Sequence, residues 1–414
     1  MAHGGNLRNE SGTPSGRSGG EVYHWRGGYR GYHDSSQRSR VEYQQRFFHP
    51  LQRVTFPMRK LGLSFFLFFS FVLVASHAQQ SDPAAAEQAA PMQQRPIFLD
   101  VVVTDGANKP VADLEPFDFS VLDESHPRKV MGFRRTDGAT GSKVDPAVEV
   151  IIVLDAVNLP YQPVTRLRLE LEKFLRANGG HLTQPVSIYI FASDGLHVQP
   201  APSKDGNALA NLLDESGGTM RARDITGGVY ALEEQYKDSY KAITGIAENM
   251  SHKPGRKVLI WLGSGWPLLS ERYFIQTDVS RQTYYHQLAA LQNKLREARM
   301  TIYCLYGTAG LTNRLYEKFL EPVREARKME IGSMGLQVLA LHTGGRVLGP
   351  SNDVKGLMDA CLGEIGEYYT LALMPPQAAK PDEYHDLKVQ VNRPGVTVRT
   401  VVGYYNEPVN RATE

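Results

Sequence analysis

The sequence predicts an α/β fold: a doubly wound, mostly parallel sheet flanked by a small antiparallel β domain from the N- and C-terminal segments. Nearly unbroken apolar runs such as Val148–Leu154 read as central parallel strands covered on both faces. Such runs alternate with stretches of helical period, the pattern of successive β–α–β units. Short alternating strands with polar turns stand at both ends of this series. The 414 residues, 42% of them hydrophobic, suffice for two or three domains. They exclude a wholly disordered chain, a disulfide-stapled miniprotein and a polytopic membrane protein.

The elements begin only after a long leader. Residues 1–57 are rich in Gly, Arg, Ser and Tyr and show no apolar period. They read either as a cytoplasmic Arg/Gly tail that binds RNA or as an extension upstream of the true initiator, Met58. The second reading is favoured, because residues 58–78 form a complete signal peptide with its own Met. Met58-Arg59-Lys60 is the basic start, and 61–75 is an uncharged apolar run of about 15 residues. A membrane span needs roughly 20. Ser76-His77-Ala78 places small residues at a cleavage site, which would leave Gln79 as the new terminus. The expected location is extracytoplasmic, periplasmic or secreted; the alternative is a membrane anchor through 61–75. Residues 79–96 have the composition of a flexible linker.

The first β segment, 97–136, opens with strand Ile97–Thr104 and the turn Asp105–Pro110. Phe117–Leu122 alternates, a polar turn follows at Asp123-Glu124-Ser125, and Lys129–Phe133 reads as a third strand. The α/β domain is expected over 147–375. Its strands are Val148–Leu154, Val186–Ala192, Lys257–Leu262 and Thr301–Tyr306, with Tyr368–Leu373 closing the series. Its helices are Val164–Ala177, Gly206–Glu215, Tyr230–Met250, Thr283–Arg299, Ile331–His342 and Asp353–Gly366. In 383–406, His385–Val391 and Val396–Val402 flank Asn392-Arg393-Pro394-Gly395 and read as a hairpin that packs with the strands of 97–134.

Three segments carry a family resemblance. They are Asp100–Asp105 with Phe117–Asp123 downstream; Val150–Asp155; and Tyr368–Pro376 followed by Tyr384–Val391 and Val401–Tyr405. Together they resemble the von Willebrand factor A-related proteins of acidobacteria, over about residues 58–406. The resemblance implies a signal peptide, a short β segment, a Rossmann-type A domain and a closing β tail. It also implies a Mg²⁺ ion held above the strand C-termini by Asp-x-Ser-x-Ser, a loop Thr and a second Asp. Oxygen donors of this kind suit a hard ion. Here Asp155 fills the first position, Val157 and Leu159 replace the two Ser, and Ser264 replaces the second Asp. Thr219 or Thr226 would supply the loop Thr, and Asn158 an amide oxygen. The expected site is therefore Asp155, Asn158, Thr226 and Ser264, degenerate and without bound metal. The other role open to Asp155 is to cap the amides of the loop that follows it.

No phosphate-binding loop, dinucleotide fingerprint or His-Glu-x-x-His motif is present. Ser264 in Gly-Ser-Gly-Trp resembles the nucleophile elbow of hydrolases, but Trp266-Pro267 stands where a helix should begin. His181, His197, His342 and His385 are scattered, and Cys304 and Cys361 are expected as buried free thiols. Residues 1–78 carry ten of the 46 basic and four of the 44 acidic residues, which leaves 36 against 40, a net of −4. Nucleic acid is therefore not an expected partner. The expected function is an exported, non-catalytic binding module, without a cofactor, that engages a protein or envelope partner through the loops at the strand C-termini. The alternatives are an extracytoplasmic serine hydrolase using Ser264 and a structural envelope component.

Overall fold

The computed structural model describes residues 95–142, 144–215, 228–266, 276–305, 314–349 and 351–408. Residues 1–94, which hold the expected signal segment and nearly all of the expected linker, and Thr219 and Thr226 lie outside the described residues. Among the described residues, no helix is long and apolar enough to cross a membrane.

Glu149–Asp155 (β5, after four strands described below) is the centre of the parallel sheet. From Val150 onward its residues are fully buried, with Val150, Ile152 and Leu154 in one core and Ile151 and Val153 in another. That split follows from the two-residue period of a strand, and it explains why the run is apolar without alternation. On one face lie Tyr161–Arg176 (α1), Gly206–Glu215 (α2) and Val354–Glu364 (α7). On the other lie Gly228–Ser251 (α3), Asp278–Glu297 (α4) and Leu336–His342 (α6). α1 shows how the sequence selects its face: Val164, Leu167, Leu171, Phe174 and Leu175 are its buried residues, three or four apart.

β5 pairs in parallel with His181–Ala192 (β6) on one side and Lys257–Leu262 (β9) on the other. Met300–Leu305 (β10) and Arg346–Leu348 (β11) extend the sheet beyond β9. Gly195–Val198 (β7) and Ser203–Asp205 (β8) add antiparallel pieces along β6. The order is β11-β10-β9-β5-β6-β7. The chain thus leaves β5 to one side and later returns to the other, which puts a topological switch point between the C-terminal ends of β5 and β9.

Strands from both ends of the chain interleave in two four-stranded antiparallel sheets. One has the order β14-β1-β12-β4: Thr397–Arg399, Ile97–Thr104, Glu367–Leu373 and Gly132–Asp137. The other has the order β15-β13-β2-β3: Gly403–Asn406, Glu383–Val391, Phe119–Asp123 and His126–Arg128. Leu99, Val101, Tyr369 and Leu371 meet Phe119, Val121, Leu387 and Val389 in a core of their own. The opposite face of the first sheet lies on the α/β layers, where Val102 and Tyr368 join the core of β5.

Five assignments differ from the sequence expectation. Tyr368–Leu373 belongs to the sandwich and pairs antiparallel with β1 and β4. It is buried on both faces, so its apolar run matches that of a central parallel strand. The two arms expected in 383–406 do not pair with each other: β14 crosses to β1, while β13 pairs with β2 and β15, so the segment does join the strands of 97–134. The third strand is two strands, β3 and β4, in place of Lys129–Phe133. Glu124 and Ser125 both take positive φ, 49° and 65°, in a two-residue hairpin turn, so β3 starts at once. Pro127 is accommodated because β3 is an edge. The helix expected over Ile331–His342 is a 3₁₀ turn, Ile331–Met334, followed by α6. The remaining described helix, Arg314–Leu320 (α5), was not expected from the sequence.

Candidate functional site

At the switch point β5 ends in Asp155, and β9 runs into Gly263-Ser264-Gly265-Trp266. Asp155 is fully buried. Its Oδ1 accepts the backbone N–H of Val157 at 3.0 Å and of Asn158 at 2.9 Å. Its Oδ2 accepts the amide of Asn158 and the indole N–H of Trp261, both at 2.8 Å. The carboxylate thus holds four donors and caps the loop that follows β5. Burial raises its pKa, and the bonds from Trp261, Asn158 and Val157 oppose the rise. Gly263 is needed for this approach, because a Cβ there would stand 2.9 Å from the Cβ of Asp155.

Helices from the second layer complete the shell. The Asn158 amide also donates to Ser239 Oγ at 3.0 Å, and Gln235 donates to the Val157 carbonyl at 3.2 Å, both from α3. Gln337 of α6 donates to the carbonyls of Ser264 and Trp266 at 3.2 and 3.3 Å. Trp266 packs edge-on against Trp261 and Tyr236, with ring centroids 5.8 and 6.2 Å apart. Cys304 lies beneath, its thiol pushed up to about 12 by burial and by the charge of Asp155. It and Cys361 are buried free thiols.

The donor set does not fit Mg²⁺. The ion requires oxygen ligands with free lone pairs, whereas both oxygens of Asp155 already accept two N–H groups each. Val157 and Leu159 are buried at 1% and 4% exposure and carry no side-chain oxygen. Asn158 presents its nitrogen, not its oxygen, to Asp155. Ser264 points its hydroxyl at the carbonyls of Asn158 and Gly265, 3.3 Å from each. Among the described residues, no group of three or more His, Cys, Asp or Glu is gathered as a metal site.

Among the described residues, Ser264 also has no histidine as a hydrogen-bond partner. His342 lies between Gln292 and the Leu320 carbonyl, His385 on Asp123, and His197 on Asp194; His181 is exposed. The rim does carry a cleft of about 370 Å³ at the end of β6, lined by Phe191, Asp194, Leu196, Asp238 and Lys241. The helices run opposite to the parallel strands, so their first turns also border the rim. There Tyr161, Tyr230 and Val279 are 66%, 81% and 78% exposed.

Of the four expected site residues, Asp155, Asn158 and Ser264 come together and Thr226 lies outside the described residues. Sequence reasoning missed Trp261, Gln235, Ser239 and Gln337. The strand period gives a signal for Trp261, which shares a face with Gly263 and so with the carboxylate beside it. No local signal points to the three helical residues.

No protein-family model matches the chain, and no curated protein matches it. Among solved structures, proximal thread matrix protein 1 from the mussel byssus, crystal form 2, is 11% identical over 39% of this chain and 38% of that chain, with a TM-score of 0.23. The human COPII-coat protein Sec24c is 11% identical over 67% of this chain and 46% of that chain, with a TM-score of 0.27. The pilus adhesin SpaC from Lactobacillus rhamnosus GG is 10% identical over 72% and 49%, with a TM-score of 0.30. The match spans less than half the length of each of these proteins. Likenesses at this level carry no argument about fold identity or function.

Proposed function

We propose that this chain is an exported, non-catalytic binding module of the von Willebrand factor A-related type, with a degenerate ion site. It engages a protein or envelope partner through the rim at the C-terminal ends of its parallel sheet. The observation that carries this reading is the saturation of Asp155. The carboxylate at the switch point is consumed by four internal donors, while Tyr161, Tyr230 and Val279 stand exposed in the first turns of α1, α3 and α4. Open α/β sheets bind ligands at this crevice, and exposed aromatics are the usual anchors of an interface. Analogy of fold alone does not supply a function, so the reading stands on these residues.

The test begins with the chain expressed from Met58 in a bacterial host. It is expected outside the cytoplasm with Gln79 as its N-terminus, by N-terminal sequencing. Immobilised, it is expected to retain one partner from the native envelope in EDTA. The double variant Tyr161→Ser, Tyr230→Ser is expected to lose that partner at unchanged melting temperature. Undiminished capture by the variant, or esterase or peptidase turnover that disappears in Ser264→Ala, overturns the proposal.

A further inference from the structure

The layer between the sandwich and the parallel sheet is polar, and several of its arginine N–H groups lack partners. The register of β1, β12, β4 and β14 puts Asp100, Thr104, Thr370, Tyr368, Arg134, Thr136 and Arg399 on one face. Most of its charge is paired. Arg299 binds Asp100 through two nitrogens at 3.0 and 2.5 Å and also bonds Asp145. Arg134 lies 2.5 Å from Asp145. Glu364 takes both Arg346 and Arg399, one acid for two guanidinium groups.

Arg256 is outside this pairing. It precedes β9, is 1% exposed, and has no carboxylate within ion-pair distance among the described residues. Its single bond is a long one, 3.4 Å from Nη2 to Thr301 Oγ1, and its Nε and Nη1 have no partner. The Tyr368 ring lies 4.9 Å from its Cζ. That contact covers one face of the cation and leaves the in-plane N–H groups unanswered. On the sheet face that carries Tyr368, the hydroxyls of Tyr368, Thr104 and Thr136 and the Nε of Arg134 and Arg399 also lack partners. Neighbouring Lys257, likewise 1% exposed, donates to the Lys253 carbonyl, and burial and the charge of Arg299 bring its pKa down to about 8. The layer therefore holds unpaired donors and surplus positive charge. Buried groups of this kind call for an unseen partner, and a guanidinium can only donate.

We propose that Arg256, with the Tyr368 hydroxyl beside it, forms a buried binding site for a small monovalent anion of the halide class, enclosed between the sandwich and the parallel sheet. A negative ion answers both deficits at once, whereas a neutral water answers only the donors. The site is closed to solvent, so the ion is taken up as the two layers close, and it stabilises their contact.

The purified full-length chain is the material for the test. Its melting temperature is measured in chloride and in gluconate at constant ionic strength, and crystals grown from protein refolded in bromide are examined for anomalous scattering. The expected results are a chloride-dependent rise of several degrees and a bromide peak at hydrogen-bond distance from the Arg256 guanidinium. Tyr368→Phe keeps the ring and is expected to weaken the chloride response, and Arg256→Met to abolish it. Only ordered waters beside Arg256, or an equal chloride response in Tyr368→Phe and Arg256→Met, overturns the proposal. The bromide experiment uses the unmutated chain, so a failure of Arg256→Met to fold does not affect it.

Discussion

At the scale of single residues, Asp155 shows how one side chain is redirected by its neighbours. A carboxylate at the end of a central strand is an obvious candidate ligand, yet here each oxygen accepts two N–H groups. Asp155→Asn keeps the shape but replaces one acceptor oxygen with a donor. Two of the four N–H groups then face an N–H₂, and each buried donor left unmade costs about 1–3 kcal/mol. The expected loss is about 2–6 kcal/mol in urea denaturation. Millimolar Mg²⁺ is expected to leave the unmutated protein's midpoint where it is, because no lone pair of Asp155 is spare. A Mg²⁺-dependent rise that vanishes in Asp155→Ala would show that the carboxylate is an ion ligand after all.

At the scale of elements, legibility followed the kind of burial. β5, β9 and β10 were readable because strands covered on both faces are continuous apolar runs, and α1 because its buried residues fall three or four apart. The same rule misplaced β12, whose two faces are covered by different layers, the sandwich core and the α/β core. Burial tells how much of a strand is covered, not which neighbour covers it. β14 was misread because Pro394-Gly395 marks a reversal but not the sheet to which the chain returns. In the site, Asp155 and Ser264 were legible from their place after strands, whereas Gln235, Ser239 and Gln337 arrive from helices distant in sequence. The sandwich pairing gives a direct check. Removing residues 383–406 strips β13 from β2 and β14 from β1, which bares backbone edges. Limited proteolysis is expected to cut within 97–137 faster in the truncated chain, and equal protection there would mean that the N-terminal strands hold without these partners.

At the scale of the whole molecule, stability is expected to depend on pH through a histidine that joins three helices. His342 of α6 is 8% exposed and lies between Gln292 of α4 and the carbonyl of Leu320 at the end of α5. Burial holds its pKa below the ordinary value, against the bond to the Leu320 carbonyl, so the fold favours the neutral ring. The unfolded chain takes up the proton at about pH 6.5. The stability this group contributes is therefore present above that pH and is lost as the pH falls below it. Urea midpoints at pH 7.5 and 5.5 are expected to differ less in His342→Gln than in the unmutated protein; an unchanged difference would assign the acid sensitivity elsewhere. The interleaved sandwich has a further consequence, one for biosynthesis. Leu99 sits opposite Leu371, so β1 emerges some 272 residues before the strand that pairs with it. Contacts so distant in sequence form slowly, and every strand of the parallel sheet is made in the interval. A chain that stalls or is clipped before Glu367 can thus complete its α/β layers and still display Leu99, Val101 and Phe119 on open strands. Closure of the sandwich acts as a check on completeness: only a product read through to its last strands hides the surface that proteases and holding chaperones recognise.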